Sequence, residues 1–145
     1  MQIKIKKVNP NAKTPTRGSD QAAGYDLYAC LETENVTIDA HKTVKVPTGL
    51  SMAIPEGYFG AIFARSGLAA KQGLRPANCV GVIDSDYRGE FMVMLHNDTD
   101  ESKTVENGDR VAQLVVMPFM PVDFEETDSL DETQRGAGGF GSTGK

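Results

Sequence analysis

The chain holds little that could cross-link or staple a fold. Its 145 residues include two cysteines, Cys30 and Cys79, with no CxxC spacing. That excludes a disulfide framework and a zinc site and leaves buried, reduced thiols as the expectation. The two histidines, His41 and His96, have neither metal-ligand spacing nor an evident nucleophile partner, and read as surface or strand residues. Long apolar runs are missing as well. Leu114 to Met117 is typical of the longest, far short of the roughly 20 residues that cross a bilayer, so no membrane partner is expected. The opening MQIKIKKV lacks an apolar h-region and a small-residue cleavage site. It is predicted to be a strand and not a signal peptide, and the protein is expected to be cytoplasmic. Without secretion, the glycosylation pattern Asn97-Asp98-Thr99 carries no meaning.

A basic stripe is also lacking. The net charge is -5, but residues 123 to 132 (DFEETDSLDE) hold six acids and no base; set aside, they leave the rest at +1. A near-neutral body of this kind offers no footing for nonspecific nucleic-acid binding. A free nucleotide stays open as a ligand.

What the chain does have is short apolar alternation. It recurs at Ile3 and Ile5, Val44 and Val46, Leu50 to Ile54, Tyr58 to Phe63, Cys79 to Ile83, Phe91 to Leu95 and Val111 to Met117. Turn signals separate these pieces, among them Asn9-Pro10, Pro55-Glu56-Gly57, Asn97-Asp98 and Asn107-Gly108-Asp109. The pattern predicts one all-β domain, a jelly roll or a close relative. Only Ser66 to Gln72, closed by Gly73, is predicted to be helical. The domain is expected to span residues 1–125. Residues 126–145 change character, with four glycines in the six positions 136–141. They are expected to form a mobile arm that settles on a ligand or another subunit.

Four constellations could carry chemistry. In the arm, Gly136, Gly138 and Gly141 formally match GxGxxG, but only four residues follow, too few for the helix a dinucleotide fingerprint needs. Glycine amides can still wrap phosphate oxygens, with Arg135, Ser142 and Thr143 as donors and Phe140 as a stacking face. A flexible linker is the plain alternative. At Arg65-Ser66-Gly67 a guanidinium, a hydroxyl and helix-start amides could converge on an anion, or Ser66 could simply cap the helix. Asp84, ending the apolar run Gly81-Val82-Ile83, is a candidate general base, since partial desolvation would raise its pKa; the alternative is a turn-stabilising Asx residue. The spacing Asp84-x-Asp86 falls short of a calcium loop, because Arg88 and Leu95 stand where oxygen ligands belong. Asp26 and Gln113, polar residues within apolar strands, must be satisfied by partners.

In order and spacing, AAGYDL, ARSGLA, GVIDSDYRGE, GDRVAQLV and RGAGGFGSTG resemble the five motifs of the dUTPase family. The resemblance spans nearly the whole chain. It implies a distorted jelly-roll, or β-clip, sandwich that assembles as a homotrimer, with the arm of one subunit closing a site built by the others. The implied reaction is hydrolysis of dUTP to dUMP and diphosphate with Mg²⁺, which lowers dUTP and supplies dUMP for thymidylate synthesis. On this resemblance Asp84 is the general base. Asn78, Val82, Ile83 and Met92 surround the uracil, Tyr87 lies against the deoxyribose, and Phe140 stacks over the base. Arg65, Ser66, Gly67, Gln113, Arg135, Gly141 and Ser142 hold the phosphates, and Asp26 reaches the metal through water. The related dCTP deaminase shares the fold, but it normally carries Arg-Ser-Ser where this chain has Arg65-Ser66-Gly67. A catalytically idle nucleotide sensor is the rival of another class; the joint presence of Asp84, Arg135 and Phe140 speaks against it.

Overall fold

The computed structural model describes residues 1–140. Among these the chain forms twelve strands and one helix. In order they are β1 (Lys4–Lys7), β2 (Thr16–Arg17), β3 (Tyr25–Tyr28), β4 (Asn35–Ile38), β5 (Thr43–Pro47), β6 (Leu50–Ala53), β7 (Tyr58–Phe63), α1 (Ser66–Gln72), β8 (Leu74–Pro76), β9 (Val80–Ile83), β10 (Met92–Asn97), β11 (Lys103–Glu106) and β12 (Arg110–Pro118). The largest sheet has the order β2-β3-β12-β7-β9 and every described pairing is antiparallel. Three smaller sheets, β5-β10-β8, β1-β6 and β11-β4, complete an all-β, jelly-roll-like sandwich.

Most strands supply the core, whereas β1 and β2 are exposed throughout. Leu27, Val46, Leu50, Leu74, Phe91, Leu95 and Val111 are all fully buried. Burying a side chain of this kind contributes roughly 1.5–3 kcal/mol, which makes the alternation the dominant determinant of the fold. The helix falls where the sequence predicts it. Gly73 closes it at φ 65 and donates its N–H to the Ala69 carbonyl, a left-handed cap that glycine adopts without steric cost.

One expectation is corrected and two further points are decided. Ser66 is not the cap: Arg65 holds that position in extended conformation with no side-chain capping bond, and Ser66 is the first helical residue. Cys79 is exposed, at φ 62; only Cys30 is buried, and burial followed by the nearby Glu90 carboxylate pushes its thiol pKa up. Asn97 is fully buried. Its amide nitrogen donates to the carbonyls of Ile38, Asp39 and Glu101, and its Oδ1 accepts from Thr99. It locks a turn and cannot serve as a glycan acceptor.

After Pro118 no described residue lies in a helix or strand. Phe119, Met120, Val122 and Phe124 follow as exposed apolar side chains.

Candidate active site

The first cluster of functional side chains lies where β3, β12 and β7 run side by side. Gln113 faces Asp26 on one side and Phe63 on the other. Two residues beyond Phe63, Arg65 donates from Nε to Asp26 Oδ1 at 2.8 Å, and Arg110 approaches Oδ2 through Nη1 at 3.3 Å. The Asp26 side chain is only 13% exposed, so the ion pair is partly shielded and fixes the Arg65 fork more firmly than a surface pair would. Gln113 donates from Nε2 to the Ala64 carbonyl at 2.8 Å, and its carboxamide packs on Gly24, where any Cβ would collide with it. Both polar strand residues thus find the partners that burial demands. Their shared effect is to fix the turn that presents Arg65, Ser66 and Gly67.

A second cluster surrounds β9. Asn78, Val82, Ile83 and Met92 line one small cleft of about 90 Å³, together with Ile62, Gly81 and Met94. That is room for about three waters or a single small ring. Val82 also borders a wider cleft of about 450 Å³, lined by Phe59, Asp84, Ser85, Asp86 and Phe119. Asp84 therefore sits between the small slot and an open surface, exposed in the isolated chain. The partial desolvation expected for it is absent within one subunit, since its carboxylate leaves the end of β9 toward solvent. The loop after it is braced. Tyr87 donates its N–H to the Asp84 carbonyl, Ser51 Oγ donates to the Arg88 carbonyl at 2.6 Å, and Glu90 Oε1 accepts the Gly49 N–H at 2.7 Å. The Tyr87 hydroxyl donates to the Glu90 carbonyl at 3.0 Å.

One chain does not bring the two clusters together. Ile83 pairs with Gly60 on β7, while Arg65 lies five residues further along the same line. Asp84 and Arg65 are thus separated by about six extended residues, roughly 20 Å. Arg135 lies in an exposed turn, where its Nε donates to the Gly138 carbonyl, and Phe140 is exposed at φ 49. Gly141 and Ser142 lie outside the described residues.

The donor set bears on the metal that the motifs imply. Among the described residues no three His, Cys, Asp or Glu side chains gather as a metal site, and both Asp26 oxygens already accept from guanidinium groups. Among the described residues of one chain, Asp26 is thus held by arginines and joins no cluster of further carboxylates. A magnesium ion carried by phosphate oxygens and water, with Asp26 at most an outer-shell partner, fits, because Mg²⁺ usually keeps several waters.

An arginine fork fixed on a partly buried carboxylate, a ring-sized slot and a carboxylate on the adjoining cleft suit the class of proteins that take a small ring bearing an anionic chain. Known proteins narrow that class. The family model dUTPase matches residues 10–144. A deoxyuridine 5'-triphosphate nucleotidohydrolase of Desulfitobacterium hafniense is 53% identical over 133 residues, covering 91% of this chain and 87% of the relative. Its counterpart in Yarrowia lipolytica is 50% identical over 99% of this chain and 90% of its own. Among solved structures, the dUTPase of Staphylococcus bacteriophage 80alpha with dUPNHPP superposes with a TM-score of 0.89 at 27% identity, covering 99% of both chains. The chain belongs to the dUTPase family.

Sequence reasoning missed Arg110 and Glu90. Both stand inside the quoted motifs, but neither shows a signal of its own, since an arginine or glutamate flanking a strand is ordinary.

Proposed function

We propose that the chain hydrolyses dUTP to dUMP and diphosphate, through a site completed by neighbouring subunits. The observation that carries this reading is the convergence of Asn78, Val82, Ile83 and Met92 on one ring-sized cleft, with Asp84 on the wider cleft that shares Val82 with it. Family membership supports it, as does the relative solved with dUPNHPP, whose name describes an imido analogue of dUTP. Uracil occupies the cleft, where main-chain groups of β9 and the Asn78 amide read its edge. Leaving those polar groups unpaired against a wrong base costs more than a lost methyl contact, which gives the selectivity.

In the proposed step Asp84 takes a proton from water, the water oxygen bonds to the α-phosphorus, and the bond to the bridging oxygen breaks, releasing diphosphate. Base assistance supplies about 10²- to 10⁴-fold, so positioning and charge neutralisation must supply most of the acceleration. Arg65, Ser66, Gly67, Arg135, Gly141 and Ser142 take the phosphates, and Gln113 serves by holding the Ala64 carbonyl. Mg²⁺ bound to the triphosphate would neutralise charge on the leaving group. The arm of residues 126–145 brings Phe140 over the base and excludes water.

The separation of Asp84 from Arg65 along β7 supports a homotrimer with composite sites. So do the exposed Phe119, Met120, Val122 and Phe124 and the open apolar groove lined by Ile3, Ile5, Tyr25, Met52, Leu114 and Val116. Surfaces of this kind are normally covered by another chain. No described helix is long and apolar enough to cross a membrane; a cytoplasmic location is part of the same proposal.

The test is pyrophosphate release with Mg²⁺ from dUTP, dCTP, dTTP and UTP in parallel, with the nucleotide product identified. Turnover confined to dUTP, yielding dUMP, is expected. Deamination of dCTP would replace the reading with that of the related deaminase, and no turnover would leave a nucleotide sensor.

A further inference from the structure

The loop after Asp84 contains a contact that the proposed chemistry leaves unused. Gly89 lies under the Tyr87 side chain so closely that a Cβ built there would meet three Tyr87 atoms, the hydroxyl oxygen, Cζ and Cε2, all at under 3 Å. Its φ is not in the left-handed region, so backbone conformation is not what calls for glycine at this position. The missing Cβ is what lets the outer end of the ring approach the chain this closely. Two further contacts hold the ring on that seat. The hydroxyl donates to the Glu90 carbonyl at 3.0 Å, and the ring meets Phe91 at 6.2 Å between centroids, tilted by 37°. Phe91 is fully buried, so it is a fixed abutment.

We propose that Gly89 is a specificity-determining residue: by seating the Tyr87 ring, it sets the clearance over the sugar and thereby the preference for a 2'-deoxy nucleotide. The inference rests on the dUTP reading of the site, in which Tyr87 lies against the deoxyribose. The three atoms that a methyl group at position 89 would meet first all belong to the outer end of the Tyr87 side chain. The strain is therefore relieved by Tyr87 rotating outward, and the loop keeps its braces to Ser51 and Gly49. An outward ring opens room for a 2'-hydroxyl.

The measurement is the ratio of kcat/KM for dUTP to that for UTP, in the wild type, Gly89→Ala, Tyr87→Phe, Tyr87→Ala and Gly89→Ala/Tyr87→Ala. Gly89→Ala is expected to lower the ratio roughly 10- to 100-fold, the range in which one small group in a pocket is discriminated, with kcat/KM for UTP rising in absolute terms. Tyr87→Phe, which keeps the seat and loses only the hydroxyl bond, is expected to retain most of the preference. In the Tyr87→Ala background the glycine substitution should change nothing further, because the two act as a unit. An unchanged ratio in Gly89→Ala, or an equal fall with and without Tyr87, would overturn the proposal. Wild-type turnover of dUTP without preference over UTP would overturn the role of Tyr87 itself, and no dUTP turnover would overturn the reading of the site.

Discussion

Asp84 stands at the end of an apolar strand, next in the chain to Ile83 of the small slot, and lines the open cleft together with its loop neighbour Asp86. If Asp84 is the base, Asp84→Asn should bind a non-hydrolysable dUTP analogue with little loss while turnover falls about 10²- to 10⁴-fold. Calorimetry and pyrophosphate release read the two quantities separately; an active variant would remove Asp84 from the mechanism. At this scale the sequence was informative about residue identity and silent about partners. Asp26 and Gln113 could be recognised as polar groups needing satisfaction. That Asp26 takes Arg65 and Arg110, and that Gln113 takes the Ala64 carbonyl, depends on strand register, which single-chain spacing does not specify. Cys79 was misread for a related reason. Free cysteine is usually buried, but here it occupies a left-handed turn position at φ 62 that turns it out to solvent.

Most elements were legible from apolar alternation, β1 included although all four of its residues are exposed. The runs at β6, β7, β9, β10 and β12 were readable, and α1 was marked at its end by Gly73. β4 and β11 were not. Each is four residues long and half exposed, and each is stabilised chiefly by pairing with the other across a long loop, as Val36 with Val105 shows. The C-terminal segment is the opposite case. Its composition marks it as having too little apolar side chain to fold alone, and after Pro118 the described residues form no regular element. If that segment supplies the lid, a chain ending at Gln134 should keep its assembly and its melting temperature while turnover falls by a factor of about 10² or more, as expected when positioning donors and water exclusion are lost together. Chromatography and the dUTP assay check both halves. Near-normal turnover would take the arm out of the site.

At the scale of the whole molecule, the sandwich is a rigid ruler. Asp84 follows Ile83, which pairs with Gly60, and Arg65 lies two residues past the end of β7, so about six extended residues, roughly 20 Å of backbone, lie between them. We propose that a working site takes Asp84 from one subunit and Arg65 from another. The fold class was legible because alternation and turns predict it. The composite site was implied only by the family resemblance, since no apolar pattern specifies a symmetry axis; the strand register adds the separation of Asp84 from Arg65 in support. The most direct test is complementation. Asp84→Asn and Arg65→Ala are each expected to be inactive; after the two are mixed, unfolded and refolded together, random assembly should restore about a quarter of the wild-type turnover, one site in four receiving both intact groups from different subunits. A mixture that assembles but stays as inactive as its parents would show that both groups serve within a single chain, and would contradict the account.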